Sequence, residues 1–260
     1  MHVAFVSDIH GNLPALQAVL DDIARAPVDL IVNLGDILSG PLWPRETADF
    51  LMTQTWPTIA GNHERQLLTL PRERMGPSDA FAATALHDTH LRWLRSLPPT
   101  HRIDPDVFCC HGTPASDLIY LLETTLPDYR ADGAPGIRGA VESEVRARLG
   151  APQATLLTCG HSHVPRVVQL DGTLIVNPGS VGLQAYDDDH VHRHVVETAS
   201  PHARYARAER RGHAWCAQLC CVPYDHLAAA QRAERNGRPD WAYALRTGFA
   251  LRPAHWQVGA

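Results

Sequence analysis

VAFVSDIHGN, residues 3–12, is the stretch on which the fold turns. Val3 to Val6 form a short apolar run of the kind that makes a buried strand, and Ser7 and Asp8 end it. A helix follows. Leu13, Leu16, Leu20 and Ile23 share one face at helical spacing, Asn12 can cap the N-terminus, and Pro14 lies in the first turn, where a missing N–H is harmless.

The pattern repeats outward. Leu30 to Leu34 reads as a second strand, ending at Gly35 and Asp36; a helix is expected at about Arg45–Thr53, and a third strand at Thr58–Ala60, ending at Gly61 and Asn62. Strand, helix, strand, helix, strand is the order of a parallel α/β layer. From Ser78 a single helix keeps Leu86, His90, Leu94 and Leu97 on one face until Pro98 and Pro99 stop it. Val107–Cys110 is a strand ending at His111, and Thr155–Cys159 one ending at Gly160 and His161. Between them, Ser116–Gly150 reads as two helices around a Pro/Gly-rich loop, a lid-like insertion. Asp171-Gly172 is a type I′ signal joining strands 167–170 and 173–176. A second hairpin at about 203–222 turns near Arg211 and Gly212, and two short helices, 225–236 and 239–247, follow on either side of Gly237. No repeat or linker divides the chain, so residues 1–260 are expected to form one domain.

Composition narrows the class. In 260 residues, 45% hydrophobic and 20% charged is globular usage, and a net charge of -5 argues against a surface built for nucleic acid or anionic membrane. No apolar stretch reaches the ~18 residues of a membrane span, and no basic, apolar and small-residue zones of a signal peptide open the chain, so the expected location is cytoplasmic. The six Cys are then thiols, read as core filler. All 23 basic residues are Arg, whereas the 16 His invite a chemical explanation, since imidazole is the commonest metal ligand and a general acid or base near neutrality.

Five polar clusters sit just past five expected strands: Asp8-x-His10, Gly35-Asp36, Gly61-Asn62-His63-Glu64, His111-Gly112 and Gly160-His161-Ser162-His163. Ligands in α/β sheets bind at the carboxyl ends of strands, so the clusters should converge. Oxygen and imidazole donors without thiolate suit Mn, Fe, Zn, Co or Ni and carry too much nitrogen for Mg or Ca.

SDIHGN, GD, GNHE, HG and GHSH, in that order, resemble the five motifs of the calcineurin-like metallophosphoesterase superfamily, and NPGSVG at 177–182 is similar to its small bacterial YfcE-like branch. The resemblance implies a four-layer α/β/β/α sandwich of two mixed sheets and a site for two divalent or trivalent transition-metal ions. It places one ion on Asp8, His10, Asp36 and His163, and the other on Asp36, Asn62, His111 and His161, with Asp36 bridging. A bridge has a physical reason, because two dications ~3.6 Å apart repel by about 18 kcal/mol at an effective dielectric of 20. The implied reaction is hydrolysis of a phosphate ester by a metal-bridging hydroxide, with His63 as the general acid.

Small phosphodiesters or nucleotides are the expected substrates. A phosphomonoesterase, a dinucleoside polyphosphate hydrolase, a Ser/Thr protein phosphatase and a non-catalytic protein-binding scaffold are the alternatives. Protein phosphatases of the superfamily carry Asp and Arg where this chain has Ser39 and Gly40, which disfavours that subgroup and leaves the partner of His63 open, with Glu64 a substitute. Residues 177–182 read as a structural turn, 186–202 as a solvated loop with a substrate-facing rim as the alternative, and Arg204, Arg207, Arg210 and Arg211 as a solvated hairpin face. Tyr120 and Tyr129 read as core packing, with stacking on a base or aromatic leaving group as the alternative.

Overall fold

A computed structural model describes residues 1–130, 133–150 and 154–252. In chain order its elements are β1 (His2–Val6), α1 (Leu13–Ile23), β2 (Leu30–Asn33), α2 (Pro44–Leu51), α3 (Asn62–Thr69), α4 (Pro77–Ala85), α5 (Asp88–Ser96), β3 (Thr100–Asp104) and β4 (Val107–Cys110). The second half contains β5 (Glu123–Thr125), β6 (Ile137–Gly139), α6 (Glu142–Leu149), β7 (Leu156–Thr158), β8 (Arg166–Leu170), β9 (Thr173–Asn177), β10 (Ala185–Asp188) and β11 (His194–Glu197). It closes with β12 (Ala203–Arg211), β13 (Ala214–Val222), α7 (His226–Arg235) and α8 (Pro239–Thr247).

Two mixed sheets carry the fold. One has the order β13-β12-β1-β2, with β1 parallel to β2 and antiparallel to β12; the other has β3-β4-β7-β9-β8, with β4, β7 and β9 mutually parallel. Side chains alternate across β1. Val3 and Phe5 meet Cys109, Leu156 and Val176 between the sheets, while Ala4 and Val6 meet Leu16, Val19 and Ile23 of α1. On the outer face of the second sheet, Cys110, Leu157 and Ile175 pack on Val145 and Leu149 of α6. Helix, sheet, sheet, helix is the expected four-layer sandwich. Because β1, β2, β4 and β7 end on the same side, the residues that follow them meet at one rim of the sandwich.

Several expectations are corrected. Thr58–Ala60 makes one isolated bridge, Asn33 to Thr58, rather than a strand. The long helix from Ser78 is two, α4 and α5, because Leu86 turns extended and the His90 side chain accepts the His87 amide, restarting the helix. Among the described residues of 116–150 there is one helix, α6, preceded by the antiparallel pair β5–β6 rather than by a second helix. The segment 186–202 is not a loop, since its apolar Val195 and Val196 fix an antiparallel β10–β11 pair with Ala185 opposite Glu197. Of the six thiols, Cys109, Cys110 and Cys159 are core, but Cys216 and Cys221 are exposed on β13 and Cys220 is half-buried. The Arg face of β12 is partly tied down, Arg207 to Tyr205 and Asp22, and Arg210 to Asp106. No described helix is long and apolar enough to cross a membrane.

Candidate metal and catalytic site

The loops after β1 and β2 are stitched together before any side chain is considered. The amides of Asp8, His10 and Gly11 donate to the carbonyls of Gly35, Asp36 and Ile37 at 2.8–3.0 Å. Glu64, fully buried in the first turn of α3, accepts the amides of Asp36, Ile37 and Gly61, each at 2.8 Å. One carboxylate therefore holds the Gly-Asp and Gly-Asn corners in register. Close approach explains Gly61, where a Cβ would collide with Asp36 Oδ1 and stand 2.7 Å from the Asp36 amide nitrogen. The turn 177–182 has the expected structural role: Ser180 Oγ donates to the Asp8 carbonyl at 2.7 Å and Asn177 Nδ2 to the Gly160 carbonyl at 2.8 Å.

Five of the seven candidate ligands have left-handed backbone, with φ of 54° at Asp8, 51° at His10, 53° at Asp36, 65° at His161 and 58° at His163. Each such residue costs about 1–2 kcal/mol, and this strain is concentrated at the rim where the strands end. What it achieves is convergence. Asp8, His10 and His163 form one group and Asp36, His111 and His161 another, the offered ligand atoms within each lying inside 4.8 Å of one another. Asn62 joins the second group, its Oδ1 3.1 Å from His111 Nε2, and Asp36 Oδ2 is 3.0 Å from the same nitrogen.

Hydrogen bonding on the far side of each ring shows what the near side can do. His10, His111 and His163 present Nδ1 to the carbonyls of Ser39, Leu34 and Leu183 at 2.7–2.8 Å, and a carbonyl can only accept. Nδ1 must carry the proton, so in the neutral ring Nε2 is a bare lone pair aimed inward. His10 Nε2 and His163 Nε2 then face one another at 3.1 Å, with Asp8 Oδ1 3.3 Å from the latter. Asp8 Oδ1 is buried with no hydrogen-bond partner among the described residues. Three acceptors turned on one point repel unless a cation lies between them. The donor chemistry therefore fits a transition-metal ion.

Burial, reinforced by the neighbouring imidazole, holds His10 down at about 4 and His161 at about 3, so both rings are neutral donors at pH 7. Burial also opposes charge on His111, but Asp36 outweighs it and lifts that ring to about 10, a proton taking up the attraction that a metal would otherwise satisfy.

His63 lies beside the two groups. Its ring meets that of His10 edge-on at 5.4 Å, and its Nδ1 is 2.8 Å from Asp79 Oδ1. Asp79 comes from the first turn of α4 and is 3% exposed. Burial alone would depress His63, but Asp36, Asp79 and Glu64 together raise it to about 9. Glu64 is thus not the substitute for the missing orienting carboxylate at Ser39; its oxygens are taken by backbone amides, and Asp79 holds the ring.

A cavity of about 860 Å³ opens over this rim, walled by parts of the β5 region, β10 and α8. Tyr120 lies against His161 with ring centroids 4.8 Å apart, and Tyr186 against His163 at 4.7 Å. Their hydroxyls meet at 2.8 Å, and that of Tyr120 reaches His194 Nε2 at 3.0 Å. Tyr120 is therefore part of the site wall as well as of the packing. His190, His192 and the buried His194 all border the cavity, and His194 is tied to the Tyr120 hydroxyl.

The model of the calcineurin-like phosphoesterase superfamily domain matches residues 1–200. The chain belongs to that superfamily. It is accordingly a phosphoesterase, and similarity extends beyond the matched domain. The uncharacterized protein MJ0912 of Methanocaldococcus jannaschii is 25% identical over 257 residues, covering 92% of this chain and 94% of that protein. The fold is similar to the crystal structure of a metallophosphoesterase from Sphaerobacter thermophilus, with a TM-score of 0.71 at 24% identity over 95% of this chain and 99% of that one. It is also similar to hypothetical protein PH1004 from Pyrococcus horikoshii OT3, with a TM-score of 0.68 at 18% identity over 94% and 96%.

Within the superfamily site, sequence reasoning missed Asp79 and the Tyr120–Tyr186–His194 contacts. No spacing relates Asp79 to His63, because the pairing depends on how α4 packs beside α3. The tyrosines carried no signal that set them apart from core aromatics.

Proposed function

We propose that this phosphoesterase works with two transition-metal ions, Mn, Fe, Zn, Ni or Co, and hydrolyses small phosphodiesters or nucleotides. The observation that carries the reading is the inward convergence of bare imidazole nitrogens and an unpartnered carboxylate oxygen in two adjacent groups. Asp8, His10, Asp36 and His163 would hold one ion, and Asp36, Asn62, His111 and His161 the other. When bound, the ions supply Lewis acidity, partial neutralisation of phosphate charge and a water of lowered pKa.

The remaining work falls to the chain. Asp36, proposed as the ligand shared by the two groups, would keep the two sites at a fixed separation. His63 holds a proton on Nε2 and delivers it to the leaving oxygen, while Asp79 fixes the tautomer and orientation through Nδ1. Tyr120 and Tyr186 press on His161 and His163 and exclude water from one side. A scaffold that had given up catalysis would have lost ligands, whereas here all seven positions and His63 are present.

The test is turnover of bis-p-nitrophenyl phosphate against p-nitrophenyl phosphate with Mn, Ni, Zn or Fe added. Diester turnover exceeding monoester turnover supports the reading. Preference for the monoester would move the chain to the phosphomonoesterases, and no turnover of either with any metal would favour the scaffold.

A further inference from the structure

Resting on that reading, we infer that the substrate carries a second anionic phosphoryl group, anchored by Arg148 on the cavity wall away from the metal groups. Arg148 is in the last turn of α6 and lines the cavity. Its Nη1 donates to the carbonyls of Tyr120 at 3.2 Å and Glu123 at 2.6 Å, and its Nη2 to Thr124 Oγ1 at 2.7 Å. Since Tyr120 also lays its ring on His161, the guanidinium is fixed to the residue that borders the metal ligands. Three hydrogen bonds hold the guanidinium in place on the wall of the same cavity.

Around Arg148, counting the residues behind the wall as well as those lining it, charge does not balance. Glu144 is engaged by Arg138 through both oxygens at 2.8 Å, and Glu123 is paired with Arg166 at 3.0 Å. Arg138, Arg148 and Arg166 thus face two carboxylates, and the cation left over is Arg148, which has no carboxylate within ion-pair distance among the described residues. Thr124 Oγ1 donates to Glu144 and accepts from Arg148, so it relays a hydrogen bond without neutralising the charge. A guanidinium carries five N–H groups; among the described residues three are used by Tyr120, Glu123 and Thr124, and two remain.

Partial burial opposes the charge and lowers the Arg148 pKa despite two nearby glutamates, yet an arginine keeps its proton. A half-buried, permanently charged guanidinium that meets only carbonyl and hydroxyl dipoles among the described residues is matched by a phosphate oxygen pair. The wall around Asp187, Asp188 and Asp189 is acidic and would repel such a group, which orients the substrate. One phosphorus would sit over the metal groups and the second at Arg148.

The test uses alkane-α,ω-diphosphonates of increasing length and the matching alkylphosphonates, titrated calorimetrically into metal-loaded protein, with bis-p-nitrophenyl phosphate turnover measured in parallel. At one chain length the diphosphonate should bind 10- to 100-fold tighter than the monophosphonate, the range expected of a charge-assisted pair. Arg148→Gln should bring that ratio to about one, and Arg148→Lys, which keeps the charge but not the fork, should retain part of it. Using the ratio removes any general loosening of the wall from the result. Diester turnover with no diphosphonate gain at any length, or a gain that survives Arg148→Gln, overturns this inference alone. Absence of both turnover and monophosphonate binding overturns the underlying phosphoester reading as well.

Discussion

Replacing Asp79 by Asn separates charge from geometry at the His63 pair. Asn can still accept from Nδ1, so the ring keeps a partner, but the negative charge 2.8 Å from that nitrogen is gone. With charge centres ~4 Å apart and an effective dielectric of 20, the lost attraction has a ceiling of about 4 kcal/mol, equivalent to ~3 pKa units. His63 is 27% exposed, which screens the interaction. A fall of about 1–2 units is the working figure. A general acid acts only while protonated, so activity falls as pH rises through its pKa, and a lower pKa moves the alkaline limb toward acid by the same amount. The assay is kcat against pH for a p-nitrophenyl diester and for a diester with an alkyl leaving group. The alkyl ester, whose leaving oxygen needs the proton more, should lose about 5- to 50-fold near pH 9 and no more than about 2-fold at neutral pH, and the p-nitrophenyl ester much less. Alkaline limbs that coincide in the two proteins, or equal losses on both leaving groups, would refute the reasoning.

Further outcomes follow from the same contacts. His63→Ala should keep its metal and lose roughly 10²–10⁴ in rate, whereas Asp36→Ala should lose metal and activity together, as read by metal analysis and kcat. Glu64→Gln turns an amide donor toward one of three backbone N–H groups, so stability should fall by about 1–3 kcal/mol in chemical denaturation and metal affinity with it. In metal-free protein the raised His63 pKa contributes stability that is fully present below the unfolded value of 6.5 and lost as pH rises through about 9. The stability difference between wild type and His63→Ala should therefore shrink across that window. Phe5→Ala, which empties space between the sheets, should cost about 3–5 kcal/mol by denaturation.

What the sequence made legible follows local periodicity and punctuation. β1, α1, β2 and the hairpins around Asp171-Gly172 and Gly212 are read from alternation, caps and turn residues, all within a few positions of one another. The clusters at Asp8–His10, Asp36, His111 and His161–His163 are legible because α/β chains place ligands where strands stop, whereas Asn62 follows a single bridge rather than a strand. Pairings decided by tertiary packing were not legible. His90 reads as a mid-helix residue, yet it accepts the His87 amide and begins α5; the Tyr186–His202 stretch reads as polar, yet its Val195 and Val196 bury a strand. Asp79 and Arg148 acquire roles only when α4 and α6 are placed against the rim, and neither has a neighbour in sequence that announces it. The 16 His divide the same way. Position after a strand singles out the candidate ligands His10, His111, His161 and His163, while His194, from the His-rich stretch, meets Tyr120.

Metal content of the purified chain, measured beside its Asp36→Ala variant, tests the central claim most directly. Two adjacent donor groups, with Asp36 proposed as the ligand they share, predict about two transition-metal ions per wild-type chain and loss of both in the variant. A wild-type chain that binds none after incubation with Mn, Zn, Fe, Ni or Co, or a variant that keeps its full complement, would contradict the account.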